Sequence, residues 1–206
     1  MKASDVIGSA RKLLVDPTGV RWPDADLLGW VGEAQLQVIA VRPDANSKRA
    51  DLTLVAGIEQ AIPADGTRLL SVLQNVGGRV ITLISRNELS SIDVNWPLST
   101  ARAAQRHYMF DADTPKVFEV WPPAIAGNKA RIAYAAIPAA IAAATDDLTL
   151  DDIYLPCLTD WVCYRAYETD SDDPSDVSRA ANHLAAFMQA LTGKSQSDVA
   201  YEPKRK

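Results

Sequence analysis

The sequence has few residues of the kinds that usually carry chemistry, with two cysteines and two histidines among 206 residues. It has no run of about 18 apolar residues, so we expect no membrane-spanning helix and no membrane partner. Residues 1–5 enter a helical pattern without the apolar core of a signal peptide. Cys157 and Cys163 lie six residues apart on one predicted helix, where they point to different faces and cannot form a disulfide. These features are typical of a protein made in a reducing cytoplasm.

The chain also has fewer positively than negatively charged side chains, and its formal net charge is −5. This balance argues against broad binding to a phosphate backbone, which depends on Lys and Arg. The exception is the C-terminal segment 201–206 (YEPKRK). It is typical of a solvated chain end, and its alternatives are an arm that docks on an acidic partner or a DNA-binding tail.

A catalytic nucleophile would need a neighbouring base, and the candidates are Cys157 or Cys163 with His107 or His183. Both cysteines fall on or near an apolar helix face, where free cysteine is usually inert. No local motif of a known cysteine enzyme surrounds any of the four residues. We therefore expect packing roles, no enzyme activity and no cofactor, with a small cysteine-dependent enzyme as a less favoured alternative.

The acidic segment 170–176 (DSDDPSD) superficially resembles a calcium loop. Ser175 stands where the turn glycine belongs and Ala181 where the bidentate glutamate belongs, so we expect no metal site. The segment is better interpreted as a helix junction in which Ser175 or Asp176 caps the next helix. The acidic pairs 146–147 and 151–152 are likewise interpreted as capping the start of a helix.

Apolar periodicity predicts an α+β chain in which four helices enclose a β region. Helical patterns cover residues 3–15, 23–41 and two segments after residue 154, whereas the period is two from about residue 50 to 136. The simplest packing is a four-helix bundle, two helices N-terminal and two C-terminal, with an inserted antiparallel β region and an extended C-terminal tail. The predicted boundaries are 1–48 and 141–193 for the two halves of the bundle, 49–140 for the β region and 194–206 for the flexible tail.

Several local features can be placed on this outline. Pro23 suits a helix start, and Trp22 can pack back on the helix that follows. Gly193 is the predicted end of the last helix. Residues 51–55 and 59–63 are predicted to pair across Gly57, and Gly77-Gly78 is predicted to be a hairpin turn. Three further strands are predicted over residues 105–110, 116–121 and 130–135.

Four segments, which occur in the following order over nearly the whole chain, resemble those of one known protein family. They are 16–22 (DPTGVRW) running on to 32–35 (GEAQ); 62–70 (IPADGTRLL); 115–123 (PKVFEVWPP) followed by 131–134 (RIAY); and 148–154 (LTLDDIY) leading to 160–161 (DW) and 164–167 (YRAY). The ordered set resembles the head-to-tail adaptor (connector) proteins of tailed bacteriophages.

The resemblance implies a structural virion protein, made in the bacterial host, that forms a homo-oligomeric ring of twelve copies at the head–tail junction. Its expected partners are the portal protein above and a tail or nozzle protein below, and packaged DNA would pass through its channel without sequence-specific binding. The same resemblance implies a portal contact in the C-terminal segment, for which the candidate residues are Tyr201, Lys204, Arg205 and Lys206. A tail-completion or nozzle protein is the alternative within the virion.

Overall fold

Five α-helices and seven β-strands make up the fold in the computed structural model, which describes residues 1–169 and 173–201 and, within them, the side chains of all but residues 194–201. The helices are α1 (Ala3–Leu14), α2 (Asp24–Val41), α3 (Arg86–Ile92), α4 (Leu155–Thr169) and α5 (Pro174–Tyr201). The strands are β1 (Ser47–Thr53), β2 (Gly57–Ala61), β3 (Gly66–Asn75), β4 (Thr82–Leu83), β5 (His107–Phe110), β6 (Val117–Ala124) and β7 (Lys129–Ala136).

The chain divides into two units, which we call the helical unit (Met1–Ala45 with Pro138–Lys206) and the β unit (Asn46–Ile137). The predicted four-helix bundle with an inserted antiparallel β region and an extended tail is wrong. The chain has a fifth helix, two separate sheets with a parallel pair of strands, and a last helix that runs through Tyr201. Apolar periodicity predicted most of the elements, but not how they pair or which helix is central.

In the helical unit, α4 is the central helix. It packs against α1, α2 and α5, whereas α5 packs mainly on α4. Buried residues therefore lie around much of α4, and they are Cys157, Leu158, Thr159, Val162, Cys163, Ala166 and Tyr167.

Apolar periodicity predicts a buried stripe of Val177, Ala181, Leu184, Met188 and Leu191 on α5, but the buried face is a different one. Phe187 and Leu191 are buried together with Ala180, whereas Val177 and Met188 are about half exposed. Phe187 decides the face because its large ring packs on Trp161 of α4, with 5.0 Å between ring centroids.

The predicted helix end at Gly193 is also wrong, because α5 continues through it to Tyr201. A glycine inside a helix costs about 1 kcal/mol relative to alanine and does not by itself end the helix. No proline follows until Pro203. Lys204, Arg205 and Lys206 lie outside the described residues.

The β unit contains a three-stranded sheet in the order β1–β7–β3 and a four-stranded sheet in the order β2–β6–β5–β4. The predicted pairing of residues 51–55 with 59–63 is wrong, because β1 pairs with β7 and β2 pairs with β6. The predicted turn at Gly77-Gly78 is present: Gly77 has a φ of 72° and the amide of Asn75 donates to the carbonyl of Arg79. Strand β4 then leaves this hairpin and pairs in parallel with β5.

Alternating side chains give the four-stranded sheet two apolar faces. Tyr108, Phe118 and Val120 join the core shared with the three-stranded sheet. On the opposite face Met109 and Trp121 pack with Leu89 of α3 and with Trp96. Helix α3 therefore covers the second face of the sheet, and the capping box of Ser85 and Glu88 fixes its start.

Candidate interaction surfaces

The connection between α1 and α2 folds around one buried carboxylate. Asp16 accepts the backbone N–H groups of Trp22 (3.0 Å), Val20 (2.9 Å) and Arg21 (3.2 Å). These bonds, that of Trp22 first, hold the pKa of Asp16 below its ordinary value. The carboxylate therefore holds the backbone of this connection in place.

The same connection is fixed to α4 and α5. The indole Nε1 of Trp22 donates to the carbonyl of Ala166 (3.2 Å), and its ring meets Tyr167 edge-on. Arg21 pairs with Asp176 at the start of α5 (2.8 Å). The structure therefore places Trp22 as a packing and anchoring residue.

The four residues considered for nucleophilic catalysis do not form a catalytic pair. Cys157 and Cys163 are free and buried, and burial raises the pKa of each thiol to about 12. His183 bonds through Nδ1 to Asp160 (2.9 Å), and His107 bonds through Nδ1 to Thr82 (2.7 Å). Among the described residues no hydrogen bond joins a cysteine to a histidine.

The acidic segment before α5 acts at a helix start. Residues 170–172 lie outside the described ranges. Asp173 precedes the helix and accepts the amide of Ser175 (2.8 Å), so the cap is Asp173 and not Ser175 or Asp176. Asp176 lies in the first turn of α5, where it is buried and forms ion pairs with Arg21 and Arg179. Residues 1–169 and 173–193 contain no cluster of three or more side chains suited to a metal ion.

The two acidic pairs are also engaged within the chain. Asp146 accepts the amides of Ala142 and Ala143, and Asp151 caps the short 3-10 helix that precedes α4. Asp152 pairs with the N-terminal amino group (2.6 Å) and Asp147 with Lys2 (3.7 Å). Of the four carboxylates, Asp151 thus caps a helix and Asp146 holds a loop. The other two, Asp147 and Asp152, bind residues at the N-terminus.

Of the candidate portal residues, Lys204, Arg205 and Lys206 lie outside the described residues. Tyr201 is the last residue of α5, its side chain is outside the description, and Lys204, Arg205 and Lys206 follow it. Their assignment stays a prediction.

Three arginines of the β unit lie around two adjoining concavities. Arg79, Arg106 and His107 line one of about 430 Å³, with Val80 and Thr82. Arg102 and Arg106 line a second of about 220 Å³, with Trp121 and Pro122 and with Asp93, Ser99 and Thr100. Arg106 lines both, and we call the two concavities together the arginine surface.

Buried amides fix the backbone beneath the arginine surface. The side chain of Asn75 donates to the carbonyls of Arg79 (3.0 Å) and Gln105 (2.8 Å). The side chain of Gln105, which is fully buried, donates to the carbonyl of Arg102 (2.9 Å). The amide of Arg106 donates to the carbonyl of Trp121 (2.7 Å). All three arginines thus rise from rigid backbone.

Positive charges outnumber negative ones at this surface, which is lined by three arginines and one carboxylate, Asp93. Burial lowers the pKa of His107, and the neighbouring charges of Arg106 and Arg79 lower it further. The imidazole stacks on Trp121, with 5.8 Å between ring centroids, and Arg106 lies 6.0 Å from the centre of the indole.

Exposed apolar side chains lie between Arg79 and Arg102 along the chain. Ile92, Val94 and Leu98 are 73%, 78% and 85% exposed within seven residues. Contiguous exposed apolar groups mark sites of protein contact more often than isolated ones do. This segment is the strongest apolar candidate for a protein interface in the described part of the β unit.

A comparison with known protein families identifies the family of the chain that has these surfaces. The family model of the SU10 adaptor protein matches residues 1–206. The chain belongs to the SU10 adaptor protein family. This is a phage head-to-tail adaptor family, so the resemblance found in the sequence is confirmed. No curated protein matches the chain.

This SU10 adaptor family member is accordingly a structural component of a phage virion. None of the helices in the described ranges is long and apolar enough to cross a membrane. Sequence reasoning missed the arginine surface, because the net charge was taken over the whole chain. It also missed α3, although the Ser85-Arg86-Asn87-Glu88 capping box was a readable signal.

Proposed function

We propose that this adaptor forms a ring of twelve identical copies at the head–tail junction, between the portal and a tail or nozzle protein, and extends the DNA channel. The observation that carries the proposal is the family match over all 206 residues. The ring, its copy number and its place in the particle are inferred from the resemblance of the ordered segments.

Exposed apolar side chains support a role in assembly. A closed ring of identical subunits joins two different surfaces of each copy. The helical unit offers Val15 and Val20, which are both more than four-fifths exposed beside the Asp16 turn. The β unit offers Ile92, Val94 and Leu98. Each unit thus has an apolar surface that a neighbouring subunit can cover.

The portal contact is assigned to the C-terminal segment. Tyr201, Lys204, Arg205 and Lys206 form a basic, aromatic end on an acidic chain. Such a segment suits an acidic groove on a partner. It begins at Tyr201, the last residue of α5, so the helix would present it to the portal.

The role we propose is mechanical, without catalysis or a cofactor, and it lets DNA pass without sequence-specific binding. A thiol with a pKa of about 12 is almost wholly protonated at neutral pH, which makes Cys157 and Cys163 poor nucleophiles. We expect synthesis in the cytoplasm of the bacterial host, before assembly onto the head.

The proposal is tested by mixing the purified adaptor with purified portal and examining the products by sedimentation and negative-stain electron microscopy. We expect a heavier complex with a second ring stacked on the portal ring. An adaptor that never associates with the portal, over a range of salt and protein concentrations, would contradict the proposal. Association with isolated tail parts instead would indicate a tail-completion protein.

A further inference from the structure

The net charge of the chain hides two units of opposite sign. The β unit has ten Lys and Arg against eight Asp and Glu, which gives +2, whereas the helical unit has eleven against eighteen, which gives −7. The argument from net charge against phosphate binding therefore applies to the helical unit and not to the β unit.

Three of the ten basic residues in the β unit form ion pairs with carboxylates. Arg86 pairs with Glu119, Arg131 with Asp51, and Lys48 with Asp65. In contrast, Arg79, Arg102 and Arg106 have no carboxylate within ion-pair distance among the described residues. Three like charges thus lie around these concavities without an ion pair to any carboxylate among the described residues.

We propose that Arg79, Arg102 and Arg106 form a binding site for the phosphodiester backbone of a nucleic acid. Guanidinium groups match phosphate oxygens in both charge and geometry. Because the two concavities share Arg106, successive phosphates of one strand can occupy them together. Asp93, which lines the smaller concavity, leaves the surface with a net charge of +2.

A chain of phosphates fits these charges better than an isolated carboxylate does. One carboxylate carries a single negative charge and would neutralise one of the three guanidiniums. The site also lacks the features that read bases. Trp121 is partly buried and His107 stacks on it, so the indole is not free to stack on a base. Binding through phosphates is then independent of base sequence.

The first experiment measures binding of a fluorescent 30-base-pair duplex to the full-length protein by anisotropy at several salt concentrations, with a 30-base single strand as a second probe. We expect binding that weakens with salt. The triple variant Arg79→Gln, Arg102→Gln, Arg106→Gln should bind about tenfold or more weakly, with a log–log salt slope smaller by about 3.

A matched control removes the same number of charges from the same unit. Arg49, Lys116 and Lys129 are exposed and have no ion pair within the described residues. The variant Arg49→Gln, Lys116→Gln, Lys129→Gln should keep nearly all of the affinity. If both triple variants lose affinity equally, binding follows the net charge and the site is wrong. Far-ultraviolet circular dichroism checks folding, and the single Arg106→Gln variant replaces the triple if that unfolds.

His107 lines the arginine surface, so its pKa can report the binding of phosphate there. A phosphate beside Arg79 and Arg106 offsets the positive charges that face this imidazole, so DNA should raise its pKa in an NMR titration. Addition of DNA at constant pH should not shift the NMR signals of His183, which lies in the helical unit and serves as the reference.

Three results would overturn the proposal. The first is the absence of salt-dependent binding of both probes by the wild-type protein. The second is binding of inorganic phosphate at the arginines without binding of either oligonucleotide. The third is loss of ring assembly, and not of DNA binding, in the Arg79/Arg102/Arg106 variant, which would assign the arginines to an acidic protein partner. None of these results bears on whether wild-type protein assembles on the portal.

Discussion

Single polar residues hold the two most irregular parts of the chain. Asp16 closes the connection between α1 and α2 by accepting three backbone amides, and Asn75 ties the Gly77-Gly78 hairpin to the backbone of Gln105. Both side chains are more than nine-tenths buried. Each satisfies donors or carbonyls that would otherwise be buried without a partner.

The charge of Asp16 should make the stability of the protein pH-dependent. Its pKa is lowered in the folded state, so its contribution is present above the ordinary Asp pKa and is lost as the pH falls through the lowered value. Asp16→Asn should lower the thermal midpoint by several degrees at pH 7, and the gap to wild type should narrow toward pH 3. Thermal melts by circular dichroism check this. A gap that stays constant with pH would show that the carboxylate charge is unimportant.

The two cysteines should be inert while the chain is folded. With thiol pKa values of about 12, Cys157 and Cys163 should not react with a thiol reagent at pH 7.5 until denaturant is added. The Cys157→Ala and Cys163→Ala variants should each still assemble with the portal. Rapid labelling of the native protein, or loss of function in either variant without loss of folding, would revive the enzyme hypothesis.

Periodicity predicted individual core positions well in α2 and poorly at helix edges. Of the stripe that the sequence predicts for α2, Leu27, Val31, Ala34 and Val38 are buried, whereas Val41 at the end of the helix is 43% exposed. Leu13 of the predicted α1 stripe is half exposed. A stripe of five residues is wider than the contact that one neighbouring helix makes. The sequence alone cannot say which edge of the stripe stays in water.

At the scale of elements, strand positions were predictable and strand partners were not. Alternation identified β5, β6 and β7, because side chains that face a core recur every second residue. It did not predict that β7 would separate β1 from β3. Such pairing depends on contacts between residues about 80 positions apart, such as Asp51 with Arg131, and no local pattern encodes them.

The hairpin glycine should be needed for its backbone conformation. Gly77 has a φ of 72° with open space around its Cα, so Gly77→Ala costs strain and no clash, about 1 kcal/mol. Gly29→Ala is the matched control, because Gly29 also has open space but lies within α2, where alanine is favoured by about 1 kcal/mol. Urea unfolding should therefore give opposite signs for the two variants. Equal effects would mean that the φ of Gly77 is unimportant.

The end of α5 should serve assembly and not folding. The last buried side chain in the described part of α5 is Leu191. A chain ending at Thr192 should therefore keep its thermal midpoint within a few degrees and lose association with the portal. Full-length protein with Lys204, Arg205 and Lys206 changed to Gln separates the charge from the length. Undiminished portal association of the shortened chain would remove the C-terminal segment from that interface.

At the scale of the whole molecule, the net charge of the chain describes neither of its two units. A net charge of −5 combines an acidic helical unit with a slightly basic β unit. The order of weak motifs along the chain was more informative, because the family match extends over residues 1–206. Family membership was therefore predictable from sequence, whereas the arginine surface required the structure.

The central claim is that the chain is a ring-forming adaptor between portal and tail. Cryo-electron microscopy of the head–tail junction in intact particles tests it most directly. We expect twelve-fold density next to the portal, into which both the helical unit and the β unit fit. Density for this chain elsewhere in the particle, or a junction in which the portal contacts the tail without it, would contradict its role as the adaptor between portal and tail.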